Sequence, residues 1–339
     1  MKCKKLQFVL SCAAFFSVLG LCGSTVHLLA SSTAFLPNEA MFVCAAPSAS
    51  FDLSLYSALP LALTEADTSP HLVPEVLPTP TASKTDVKIF SPEPATDGDT
   101  LLIKNSTSYA VDTDALLNAP IPLSDGQPKV LIVHTHTSEA YTQSAGYTYT
   151  PSDAYRTEDP AYNICRVGAA LAESLEANGI TAIHDTTSHD YPSYSGCYNR
   201  SLETIEKNLT ACPTVDVVID LHRDAIAGTD GEYLKTAAEI DGQSVAQALV
   251  VVGTDAGGLT HSSWQKNLSL GLKLQKTMCD LYPGLARPLH LRTERFNGHA
   301  SPGALLIEIG SNGNTLEEAL CTAELVGKAL AETLLPLMP

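Results

Sequence analysis

Apolar positions fall into two rhythms along this chain, and both set in near residue 128. Val130-Leu131-Ile132-Val133 is an unbroken apolar run, which reads as a buried strand ending at His134. Ile164, Val167, Leu171 and Leu175 then recur at helical spacing, and Asn178-Gly179 stops that helix. Ile180–His184 reads as a second strand, Leu202, Ile205 and Leu209 as a helix, and Val215–Leu221 as a central strand. Tyr233–Ile240 and Val245–Val252 flank Asp241-Gly242, the pattern of a β-hairpin. Leu270, Leu274, Met278 and Leu281 line a further helix, and Ala304–Ile309 is again a near-continuous apolar strand. Thr315 and Glu318 form a capping box at the head of the last helix, whose buried face is Leu316, Leu320, Ala323 and Leu330. Strands alternating with helices predict an α/β fold, with a twisted, mostly parallel sheet flanked by helices.

The first third of the chain has a different texture. Lys2, Lys4 and Lys5 precede an apolar stretch from Leu6 to Ala30, long enough to cross a bilayer. Basic residues on its short N-terminal side place that end in the cytoplasm and the rest of the chain outside. The competing reading is a signal peptide cleaved near Leu28-Leu29-Ala30. Residues 1–31 are thus a membrane anchor or signal, and either way the domain is exported. Residues 32–98 are rich in Pro, Ser and Thr and bury too little to offset ordering entropy, so they read as a disordered tether. Residues 99–127 form a lead-in, with a short strand at Leu101–Asn105 and a helical turn at Asp112–Leu117. The catalytic domain spans 128–339.

Charge and cysteines narrow the possibilities. A formal net charge of −17 argues against a non-specific nucleic-acid binder, which needs a cationic face. The cysteine count is odd, at 9, and contains no Cys-x-x-Cys pair, so neither a disulfide framework nor a cysteine-based zinc site is expected.

Chemistry collects at strand ends. The first strand runs into His134-Thr135-His136-Thr137-Ser138-Glu139, the central one carries Asp220-Leu221-His222-Arg223-Asp224, and the last holds Glu308 inside an apolar run. Ligand and catalytic groups gather at the carboxyl ends of parallel strands. His134, Glu139 and His222 make up a two-nitrogen, one-carboxylate set that suits Zn²⁺ and leaves one position for water. A carboxylate in the setting of Glu308 is costly to bury without a partner. Left unligated, it is placed to take a proton from water and hand it to a leaving amine.

These three blocks, together with Asn314-Thr315-Leu316-Glu317-Glu318, resemble the stage II sporulation protein P family from about residue 99 to the C-terminus. The resemblance implies an amidase/phosphorylase-like fold and a zinc-dependent N-acetylmuramoyl-L-alanine amidase. Such a protein is a membrane-anchored peptidoglycan hydrolase of forespore engulfment that cuts between muramic acid and the L-alanine of the stem peptide. Endopeptidase activity on cross-links is also attributed to the family. Its implied partners are a lytic transglycosylase and a membrane scaffold of the stage II set. Carried over, His134, Glu139 and His222 are the metal ligands and Glu308 the acid/base. His136 belongs to the motif and is placed beside the metal or at the substrate, with exchange of His134 and His136 the alternative assignment.

The remaining residues are weighed singly. Arg223 and Asp224 follow a ligand and are expected to orient it. Arg200 meets either a substrate carboxylate or a structural acid. Tyr141 and the Tyr147–Tyr155 loop are either substrate-binding or plain surface. His184 and His189 line the groove or serve the fold, while His261, His290 and His299 read as polar loop residues. Two rival functions stand beside the amidase. One is another exported zinc metallopeptidase, disfavoured by the lack of His-Glu-x-x-His. The other is a catalytically weak wall-binding or scaffold protein.

Overall fold

The apolar runs become the middle of a seven-stranded sheet. A computed structural model describes residues 88–90, 94–121, 123–124, 129–228 and 233–337, all within one compact unit, Val73–Pro339. The expected membrane segment and most of the tether lie outside the described residues. Among the described residues no helix is long and apolar enough to cross a membrane.

In chain order the first elements are β1 (Lys88–Phe90), β2 (Thr96–Asp97), β3 (Thr100–Leu101), β4 (Ile103–Asn105), α1 (Thr113–Asn118) and β5 (Lys129–Val133). Then come α2 (Ile164–Ala177), β6 (Thr181–His184), α3 (Cys197–Ala211), β7 (Val217–Asp224), β8 (Leu234–Ile240), β9 (Gln243–Ala246) and β10 (Ala248–Gly253). The chain closes with α4 (Trp264–Leu281), β11 (Leu289–Arg292), β12 (Ala304–Ser311) and α5 (Leu316–Leu334). The main sheet has the order β4-β11-β10-β12-β7-β5-β6. Every pairing in it is parallel except β10 with β12. The ends of β5, β7 and β12 therefore share one edge with the starts of β10 and β11.

Alternation along the strands divides the side chains between two faces. Val130, Ile132, Val217, Ile219, Leu221, Leu305, Ile307 and Ile309 join the large core made with α2, α4 and α5. Leu131, Val133, Val218 and Ala304 point the other way, against Ile205 of α3. Leu249, Val251 and Leu306 continue that second face under Phe296.

Three expectations are revised. The lead-in and the last of the tether are not separate from the packed domain: Ala95, Leu101 and Ile121 lie in the main core, and β1 pairs with β8. The hairpin forms across Asp241 and Gly242, both at positive φ (53° and 78°) as a tight turn requires. Its second strand, however, breaks at Gln247, and the chain crosses to the main sheet as β10. His290 sits on a strand, β11, that the alternating Leu289-His290-Leu291-Arg292 is too short and too polar to announce. The five cysteines among the described residues are free thiols.

The capping box at α5 is present as expected. Thr315 Oγ1 accepts from Glu318 N, and Glu318 Oε2 accepts from Thr315 N. Glu318 Oε1 also accepts from Lys235 Nζ at 2.6 Å and from Ser244 Oγ at 2.9 Å, which ties β8 and β9 to the helix. Burial would raise this carboxyl, but Lys235, Asn314 and Ser244 hold it below the ordinary carboxylate range. A depressed folded-state pKa gives stability that is present above the unfolded pKa and lost as pH falls through the folded one. Thr315→Ala is expected to cost about 1 kcal/mol in urea unfolding. Glu318→Gln is expected to be destabilising at neutral pH, and its deficit should shrink as the pH drops below about 4.

Candidate metal centre

Strand parity decides which histidines meet. In register, Val133 pairs with Asp220, so His134 falls beside Leu221 and shares its face, that of α2. His222 and Glu308 are direct register partners on β7 and β12 and point to the opposite face. His134 is accordingly fully buried: its Nδ1 meets Leu221 O at 3.0 Å and its Nε2 meets His184 Nε2 at 2.8 Å. Gly168 of α2 makes room for it, since a Cβ there would stand 2.6–2.7 Å from the His184 and His134 rings. Burial, aided by His184, lowers the pKa of His134 to about 3. It takes no part in the cluster on the other face.

His136 does. The turn after β5 carries the chain over to the face of His222, and there one donor atom each of His136, Glu139 and His222 lies within 4.8 Å of the others. The ring centroids of His136 and His222 are 5.2 Å apart. Glu139 Oε2 is 3.5 Å from His222 Nδ1 and accepts from Arg223 N at 3.1 Å.

The turn is held from below. Asp220 Oδ1 accepts from Thr135 N at 2.8 Å, and Oδ2 accepts from Thr135 Oγ1 at 2.6 Å. Asp190 accepts from Ser138 N and Oγ and from Arg156 Nη1. Glu139 is clamped through its backbone: its carbonyl accepts from Ile164 N, and it bridges to Arg156. Bracing of this kind keeps two short polar segments in one geometry without a regular element to carry them.

Electrostatics separates the four groups. Burial would raise Glu139, but contact with His222 and the charge of Arg223 hold it below the ordinary carboxylate range. Burial would lower His222, yet Asp220 and Glu139 push it well above the usual imidazole value. Burial brings His136 down to about 4. Burial likewise raises Glu308 to about 8, with Asp224 and Glu139 adding to the rise and His222 opposing it. Three atoms here are withdrawn from solvent with no hydrogen-bond partner: His136 Nδ1, His222 Nε2 and Glu308 Oε2. His222 Nε2 is 2.9 Å from Asp220 Oδ1 but lacks the alignment of a hydrogen bond. Buried polar atoms are rarely left unpartnered. His222 turns Nδ1 toward Glu139 with Asp220 behind its other nitrogen, and together with His136 and Glu139, beside the unpartnered Glu308 Oε2, it makes a donor set that fits a zinc ion with one open position.

Several expected neighbours prove structural. Tyr141 is buried in the core, and its hydroxyl donates to Ile309 O at 2.9 Å. Arg200 donates to the carbonyls of His189, Ser193 and Ser195 and so braces a loop; among the described residues no carboxylate pairs with it. Arg223 is buried and donates to Ala140 O and Tyr155 O, so it reaches the cluster through its backbone N–H and its charge. Asp224 pairs with Arg287 at 2.7 Å and does not touch His222; Asp220 occupies the orienting position instead. His189 is buried between His134 O and Thr204.

Sequence reasoning passed over Asp220, Asp190, Arg156 and Tyr194. Asp220 carried a signal, a carboxylate inside an apolar strand. Tyr194 carried none: it is exposed on a distant loop, yet its ring stacks on His136 at 4.7 Å and 6° and lies under Arg156.

The stage II sporulation protein P family matches residues 78–331, and the chain belongs to that family. No curated protein matches the sequence. Among solved structures, the chain is similar to the N-acetylmuramoyl-L-alanine amidase AmiC2 of Nostoc punctiforme, at 12% identity and a TM-score of 0.36, over 63% of this chain and 98% of that one. It is also similar to the CwlD amidase of Clostridioides difficile solved with the GerS lipoprotein, at 10% identity and 0.39, over 62% and 98%. A third similarity is to the amidase Ami1 of Mycobacterium smegmatis, at 11% identity and 0.36, over 64% and 99%.

Gly168→Ala is expected to push His134 and His184 apart and to cost about 1–3 kcal/mol in thermal unfolding, as overpacking does. Unchanged stability would show that the two rings have room to move.

Proposed function

We propose that the chain is a zinc-dependent N-acetylmuramoyl-L-alanine amidase that cuts peptidoglycan between muramic acid and L-alanine, with His136, Glu139 and His222 as ligands. The observation that carries this reading is the convergence of those three donors with Glu308 on one sheet face, with His136 Nδ1 and Glu308 Oε2 buried and unpartnered and His222 Nδ1 turned toward Glu139. Membership of a sporulation family supports the cell wall as the place of action.

Held by His136, Glu139 and His222, a zinc ion would supply Lewis-acid polarisation of a carbonyl and would lower the pKa of a water to near 7. The chain's own residues do the rest. Asp220 and the Thr135 turn hold His136 and Glu139 against His222. Glu308, with Oε2 free and its register partner His222 beside it, accepts the proton of the attacking water. It then delivers that proton to the departing amine nitrogen as the C–N bond breaks. The same parts serve either amide chemistry, so endopeptidase action on cross-links belongs to the proposal. So do engulfment as its setting, an N-terminal membrane anchor with the domain outside, and work beside a transglycosylase and a membrane scaffold.

Metal analysis and wall digestion on one preparation test the roles. Wild type is expected to hold about one zinc per chain and to release stem peptides from sacculi. His136→Ala and His222→Ala should lose the metal. His134→Ala should keep its ligands while losing stability, because it empties a buried site on the other face. Glu308→Gln should keep zinc and lose about 10²- to 10⁴-fold in rate. Retention of zinc by His136→Ala with loss by His134→Ala would reverse the ligand assignment. A wild type that holds no zinc and leaves sacculi intact would remove the amidase reading.

A further inference from the structure

We propose that Arg287 forms a subsite for a free carboxylate on the substrate, and that on a stem peptide this is the α-carboxylate of the second residue. The identity of the substrate rests on the amidase reading; the subsite rests on the structure. Because β10 and β11 meet the site edge at their starts, Arg287, two residues ahead of β11, stands at the edge where β7 and β12 end. Its backbone N–H donates to Ala248 O at 2.8 Å, next to Leu249, the register partner of Glu308. Its side chain spans back over that edge: Nη1 donates to Asp224 Oδ2 at 2.7 Å, and Asp224 follows His222 by two residues on the same face of β7.

A guanidinium carries five N–H donors in a fork that fits a carboxylate. Among the described residues only the contact to Asp224 engages this one, and 14% of the side chain reaches solvent.

Stem-peptide chemistry supplies the matching anion. Beyond the scissile amide and one alanine comes an acidic residue linked onward through its side chain, so its α-carboxylate stays free or is amidated. Two extended residues span about 6.8 Å, the same as the rise from His222 to Asp224 along β7, so a stem peptide held at the cluster brings that carboxylate to the guanidinium paired with Asp224. Amidation leaves the shape unchanged and removes the charge, which makes the subsite testable.

The experiment uses the full chain with zinc supplied and two synthetic muramyl peptides that differ only in this carboxylate or carboxamide. Their equilibrium binding is measured on the Glu308→Gln background, and cleavage is measured in parallel on the otherwise wild-type chain. The carboxylate form should bind about tenfold to a hundredfold tighter, with the difference in KM more than in kcat. Arg287→Gln should bring the two peptides to near parity, Arg287→Lys should restore part of the preference, and Asp224→Asn should keep it. Equal binding of both forms overturns the proposal, as does a preference that survives Arg287→Gln. Equal weakening of both peptides in Arg287→Gln also overturns it, because that marks a residue that only braces Asp224. The two readings fail separately. A carboxylate preference in binding without cleavage of either peptide sinks the amidase and leaves the subsite; cleavage without preference does the reverse.

Discussion

The buried carboxylate of Asp220 is the interaction on which the site depends. It sits in the middle of β7, where an unpaired charge would be costly, and it repays that cost by fixing the turn after β5 through Thr135 N and Oγ1. From that turn hang His136 and Glu139, neither of which has a regular element of its own. The same carboxylate faces His222 at 2.9 Å. One side chain therefore sets the position of the turn and the charge of the third member of the cluster.

Around it the fold works by dividing the sheet. The α2, α4 and α5 face is apolar almost without interruption and takes the main core. The α3 face is apolar only toward the strand starts; toward the edge it turns polar, at Asp220, His222 and Glu308. A β-bulge at that point helps to aim the end of β12. Between Glu308 and Ser311 the strand gains a residue on β7, and Gly310 takes φ 65° with Ala246 and Asn314 pressed against it. Bulges of this kind recur beside active sites because they redirect a strand without ending it. The site thus costs stability locally, in unpartnered nitrogens and a half-buried carboxyl, and the opposite face supplies the packing that sustains it.

Much of this was written in the sequence, and the reason is physical. Short, β-branched apolar runs bounded by polar residues suit strands buried on both faces, and helical spacing with an Asn-Gly stop or a capping box suits helices. The three chemical blocks at strand ends were legible because polar residues in such runs need a reason to be there. Glu308 and His222 stood out on that ground alone. What the sequence determined by itself was therefore the α/β alternation, the capping box of α5, the Asp241-Gly242 turn and the set of residues from which the site is drawn.

Tertiary structure decided the rest. Whether His134 or His136 joins His222 depends on the register of β5 against β7, since a shift of one residue exchanges the two faces, and register is fixed by packing between distant segments. Tyr141 belongs to the core because β12 passes over it, and Arg200 to a loop because three carbonyls converge on its guanidinium. Arg156, Asp190, Tyr194 and Arg287 come to the site from loops and edges far along the chain. No local pattern announces such residues, because their partners are chosen by the folding of the whole sheet and not by their neighbours in sequence.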